Sequence, residues 1–167
     1  MSLAAASLDT FSRQLKAFDA ILDKLSAHCE AGKIDPAAYL IARLYPDMFP
    51  MIRQVQIACD FAKMATARLT GTEPPAHPDV ETTIPMLKER IGKVLALIEA
   101  ADRAVVDGAA TSPITFRTGP DTSMTLPGEA YLNGFVLPNF YFHLTTAYAI
   151  LRHNGLAVGK RDFMGLA

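Results

Sequence analysis

The chain has 167 residues, half of them hydrophobic (50%) and a fifth charged (20%), which suits one globular domain spanning 1–167 and excludes a disordered chain. Sixteen Lys and Arg against seventeen Asp and Glu leave a net charge of -1, without the basic excess of a nucleic-acid binder. The densest apolar runs, Ala37 to Ala42 and Val94 to Ile98, hold six and five residues, against the roughly 20 that cross a bilayer.

The first predicted helix carries Leu8, Phe11, Leu15, Phe18, Leu22, Leu25 and Cys29 at alternating steps of three and four, and Gly32 is its expected stop. Asp35-Pro36 opens a connection. The second helix follows Met48, Ile52, Val55, Cys59, Ala62, Thr66 and Leu69, with Pro46 and Pro50 near its start and Gly71 and Pro74-Pro75 beyond its end. The third carries Ile84, Leu87, Ile91, Val94 and Ile98, capped by Thr82 or Thr83 with Pro85 in its first turn. Residues 107–128 break the pattern. There, Ile114 to Arg117 and Ser123 to Leu126 alternate around a Gly119-Pro120-Asp121 turn, which reads as a short hairpin or a plain loop. A fourth helix runs from about Glu129 to Asn154, and Pro138 should kink or split it. The expected fold class is all-α, a four-helix bundle with the hairpin or loop between helices three and four.

Two helices are apolar on more than one face. At about 100° per residue, Ile57, Phe61 and Met64 lie nearly opposite the Ile52-Val55-Cys59 stripe of helix two. On helix four, Leu137, Leu144, Tyr148 and Leu151 lie away from Leu132, Phe135, Phe142 and Ile150. Either the long connections cover these faces, or helices two and four form a homodimer.

Polar residues also fall on the core stripe of helix four. Asn139, His143 and Thr146 stand at i, i+4 and i+7. Inward polar groups are costly without partners, and bundle proteins build ligand and cofactor sites from such groups on facing helices. Gln56, flanked by Arg53 and Asp60, could face them from helix two. Two readings stand. The six residues line a polar pocket for a small molecule, with His143 its titratable group. Alternatively, His143 is a hydrogen-bonded core histidine, Asn139 satisfies a carbonyl freed at Pro138, and Arg53, Gln56 and Asp60 form a solvated stripe. His28, His77, His143 and His153 make no HxxxH pair, so no metal cofactor is expected, with His143 the one residue placed to ligate. Cys29 and Cys59 lack metal or redox spacing and are expected to be buried reduced thiols. The GLAVGKR run from Gly155 to Arg161 has the wrong spacing for a phosphate loop. Residues 1–10 lack the features of a secretory leader, so the expected compartment is the cytoplasm.

Two segments carry a resemblance: PDMFPMIRQVQIACDFAK, Pro46 to Lys63, and LPNFYFHLTTAYAILRHNG, Leu137 to Gly155, with GKRDF following from Gly159 to Phe163. Together they resemble a bacterial domain-of-unknown-function family, number nineteen-ninety-three, similar to the DinB/YfiT-like metalloenzyme superfamily. The resemblance spans almost the whole chain. It implies an up-down four-helix bundle, often dimeric. It also implies a divalent metal held by one His on helix two and a His-x-x-x-His pair on the last helix, and in some members thiol transfer or isomerisation. On that pattern His143 matches the second His of the pair and Asn139 stands at the first. Gln56, or less closely Gln54, takes the helix-two position. Two of three ligands are thus amides, which bind zinc or nickel poorly, and the pocket is expected to persist without its metal. The implied alternatives are a metal- or thiol-dependent transferase or hydrolase, with His143 as ligand or base, and a non-catalytic dimerisation module.

Overall fold

The computed structural model describes residues 2–166; residues 1 and 167 lie outside the described part. A π-helical turn, Ala5–Asp9, leads into α1 (Thr10–Gly32), which closes one residue past its expected stop, at Lys33 in the left-handed conformation (φ 51°). Asp35 caps a short helix that the hydrophobic period had no length to register: α2 (Pro36–Leu40), whose Ala37 amide donates to the Asp35 carboxylate at 2.9 Å. The second predicted helix is α3 (Met51–Thr70); it begins after Pro50 rather than at Met48, and ends at Gly71 (φ 71°). Thr83 caps α4 (Ile84–Glu99) by accepting from the Met86 amide, with Pro85 in the first turn as expected.

After α5 (Arg103–Gly108) and a 3-10 turn at Ala109–Thr111, the interruption resolves as a hairpin. Strands β1 (Pro113–Arg117) and β2 (Ser123–Pro127) pair antiparallel, with Thr115 opposite Thr125 and Phe116 opposite Met124. Side-chain alternation buries Ile114 and Phe116 and leaves Thr115 and Arg117 outside. Phe116 anchors the hairpin, its ring 4.8 Å from that of Tyr131 and 4.5 Å from that of Phe135.

Gly128 joins the hairpin to α6 (Gly128–Tyr131) and has no room for a side chain, because a Cβ there would come within 2.2 Å of the Ala109 carbonyl oxygen. A π-helical turn, Leu132–Val136, then passes directly into α7 (Leu137–His153), and α8 (Lys160–Phe163) follows near the end. Pro138 sits in the first turn of α7. The interruption expected around it takes the form of this π turn, whose wider winding suits a stretch where proline removes one amide from the ladder.

The core lies among α1, α3, α4 and α7. Helix α3 packs along both α7 and α4, α4 packs on α1, and Phe11 of α1 meets Phe140 of α7 edge to face at 5.0 Å. The buried side of α3 is rich in alanine (Ala58, Ala62, Ala65), which lets its neighbours approach closely. Each fully buried large residue, such as Phe18 or Leu22, contributes about 2–3 kcal/mol by leaving water.

On α7 the buried stripe is Phe140, Leu144, Ala147, Ile150 and Leu151. One sequence expectation is corrected: Phe142, placed on the core stripe, is 57% exposed. Leu144 and Leu151, placed on a second face for the connections or a partner copy to cover, are fully buried within the chain. Helix four is apolar around much of its circumference, so periodicity alone could not choose which arc faces inward. Both cysteines are buried free thiols, as expected, and burial pushes Cys59 up to about 12.

Candidate functional site

Helix α3 supplies Gln54 and α7 supplies His143, and their side chains meet where the two helices pack, with His143 Nδ1 2.7 Å from Gln54 Oε1. The proton positions follow from the partners. Gln54 Nε2 lies 3.1 Å from the Phe49 carbonyl oxygen, which can only accept, so the amide end of Gln54 faces Phe49. The remaining Gln54 oxygen also accepts, so His143 Nδ1 carries the hydrogen. His143 Nε2 then holds a lone pair; it makes no hydrogen bond among the described residues and is not sealed from solvent.

Burial, and next the charge of Arg53, hold His143 below the ordinary imidazole value of 6.5. At neutral pH the ring is therefore uncharged, oriented by Gln54 and basic at Nε2. Phe61 stacks on it with ring centres 6.0 Å apart, and Phe142 meets it edge-on at 5.2 Å. Phe49 and Phe142 flank the pair and are each more than half exposed.

The other two polar residues of α7 turn back on their own helix. Asn139 Nδ2 donates to the Phe135 carbonyl at 2.7 Å, at the end of the π turn, and Thr146 Oγ1 donates to the Phe142 carbonyl at 2.7 Å. Gln56 is buried but faces away from His143; its Nε2 donates to Glu81 at 2.8 Å and its oxygen accepts from Arg53. Arg53 also pairs with Asp79, and Asp60 pairs with Arg90 at 2.8 Å and Lys63 at 2.9 Å. The six predicted residues therefore fall in two groups: His143, Asn139 and Thr146 along α7, and Arg53, Gln56 and Asp60 on another side of α3.

The second group is organised by a residue that the sequence reading missed. Arg90 of α4 is 2% exposed, and its guanidinium reaches Asp60, Asp79 at 3.0 Å and Glu81 at 3.1 Å. This network ties the segment between Gly71 and Thr83 onto α3 and α4. The signal was available, since Arg90 stands three residues after Leu87 on the buried side of its helix. Gln54 was missed as the principal partner for a related reason: it shares the buried stripe with Ala58 and Ala62, weak markers beside Ile52 and Phe61. Gln54 and Arg90 are thus the additional buried polar residues of the two groups.

As a metal centre this donor set does not fit. The seam offers one imidazole beside neutral amides: the Gln54 oxygen is already engaged by that imidazole, and the Asn139 oxygen is a weak, uncharged ligand for zinc or nickel. No group of three or more His, Cys, Asp or Glu suited to a metal ion occurs among the described residues. Among the described residues, no helix is long and apolar enough to cross a membrane.

Comparison with known proteins gives the chain relatives. The model of the family described as Domain of unknown function (DUF1993) matches residues 3–164. A crystal structure of a DinB family member protein from Shewanella denitrificans is similar at 44% sequence identity and a TM-score of 0.90, over 98% of this chain and 92% of that one. No curated protein matches.

Proposed function

Because the chain belongs to the DUF1993 family and has the fold of a DinB family member, we propose that it is a DinB-like protein, one domain over 1–167 with an up-down four-helix-bundle topology, that binds a small molecule without a metal. The site is the seam between α3 and α7. His143 is its titratable group, Gln54 orients it, Asn139 and Thr146 border it, and Arg53 lowers its basicity from the side. Gln56 and Asp60 belong to the Arg90 network that holds the adjoining surface of α3. The observation that carries this reading is the neutral, Nδ1-protonated His143, its Nε2 unengaged and its ring met by Phe61 and the exposed Phe142. Such a nitrogen accepts a hydrogen bond from a ligand hydroxyl, amide or thiol.

A thermal-shift screen with small thiols, amides and alcohols tests the proposal, with zinc and nickel as separate arms. Binders are expected to raise Tm for the wild type and not for His143→Phe, and the metals are expected to leave both unchanged. Stabilisation by zinc or nickel that disappears in His143→Phe would instead support a metal-dependent transferase or hydrolase. A second reading rests on the exposure of Phe49 and Phe142: two copies associate through α3 and α7 across this seam, forming a homodimer.

A further inference from the structure

On the outward side of α3, Phe61, Met64 and Arg68 share one face at steps of three and four. They line a cleft of about 260 Å³ with Asp60, Phe135 and Arg117. Its floor is apolar, made by the half-buried Phe61, Met64 and Phe135. Its rim holds two guanidiniums from distant parts of the chain.

Both guanidiniums are positioned by other contacts. Arg68 Nη1 donates to the Tyr131 hydroxyl at 2.8 Å, with its guanidinium 5.8 Å from the Tyr131 ring centre. Arg117 follows Phe116, whose ring is fixed on Tyr131 and Phe135, and it donates to the Pro120 carbonyl. Neither makes an ion pair among the described residues. Asp60, the one carboxylate in the lining, is already held by Arg90 and Lys63. In that neighbouring network Arg53, Lys63 and Arg90 balance Asp60, Asp79 and Glu81. The two arginines of the rim therefore stand as local positive charge above an apolar floor.

We infer that this cleft binds a small organic oxyanion, a carboxylate or phosphate monoester carried on an aromatic or short aliphatic body. The planar donor forks of Arg68 and Arg117 suit the oxyanion, and Phe61, Met64 and Phe135 cover the body. The volume sets the size at about that of a single substituted ring, below that of a drug-sized ligand. The site is separate from the hydrogen-bonding nitrogen of His143 and shares only Phe61 with it.

The test is an NMR titration of the full chain at low salt, read at the Met64 methyl and the amides of 60–68 and 115–118. The probes are benzoate, phenyl phosphate, benzyl alcohol and inorganic phosphate. Benzoate or phenyl phosphate is expected to shift these signals saturably, and which one binds more tightly identifies the preferred oxyanion. Arg117→Gln should weaken that probe by about 10-fold, and Arg68→Gln by at least as much. Arg117 is exposed on the hairpin, so its variant reports on binding even where Arg68→Gln fails to fold. The His143 reading is tested separately, by the thermal shifts that His143→Phe should abolish, so failure of either leaves the other standing. The inference is overturned if neither aromatic anion binds, if benzyl alcohol or inorganic phosphate binds as tightly as they do, or if Arg117→Gln leaves the affinity as it was.

Discussion

His143 shows how one hydrogen bond sets the chemistry of a residue. The carbonyl of Phe49 orients Gln54, Gln54 orients the imidazole, and burial beside Arg53 keeps the ring neutral. This has a consequence for stability. With a folded value below 6.5, the unfolded chain takes up the proton first as the pH falls. His143 therefore lowers stability as the pH drops through 6.5, and the loss levels off below the folded value. His77 acts in the same direction, chiefly through burial, and its Nδ1 is buried with no hydrogen-bond partner. Urea unfolding at pH 7.5 and pH 5.0 measures the effect: His143→Gln should lose less stability between the two than the wild type. An equal loss would show that His143 titrates at its ordinary value.

At the level of elements, Arg90 binds a connection of little regular structure to two helices. Its charge is expensive to bury and is offset by three carboxylates. Arg90→Met would strand Glu81, which is nearly buried, while Asp60 and Asp79 retain some contact with water. The expected cost is about 3 kcal/mol, at the low end for a broken buried pair because two of the three carboxylates remain solvated. Arg90→Lys should recover less than half of it, since one ammonium cannot span three partners. Urea midpoints of the three proteins check both. The hairpin depends on a different kind of constraint. Phe116 seats it on Tyr131 and Phe135, and Gly128 lets its far end pass against the Ala109 carbonyl.

For the whole molecule, the burial of Leu144 and Leu151 removes part of the sequence argument for a dimer, because helix four satisfies that face within its own chain. Phe49 and Phe142, at the seam, are among the large hydrophobic side chains that remain exposed. Light scattering at micromolar concentration should give twice the 18.1 kDa chain mass for the wild type and a shift toward the monomer for Phe142→Asp. A wild type that scatters as a monomer at every concentration would remove the dimer reading.

The long helices and the stop at Gly71 could be read along the chain, the α1 stop to within one residue, and the Thr83 cap and the hairpin each as one of two readings, because each depends on contacts within a few residues. The polar trio of α7 was equally legible as a spacing. Its partners were not. Whether Gln54 or Gln56 meets His143 depends on the rotation of α3 against α7, and alanines rather than large residues mark the arc of α3 that turns inward. The same ambiguity put Phe142 on the core stripe and Leu144 on a second face, since a helix apolar on most sides carries no internal label for its buried one. Arg68 and Arg117 are 49 positions apart in the numbering and meet at one cleft only because Phe116 docks the hairpin against Tyr131 and Phe135. Local periodicity and capping thus determined the elements; packing between elements decided which side chains face one another, because that choice depends on fits among surfaces far apart in the chain.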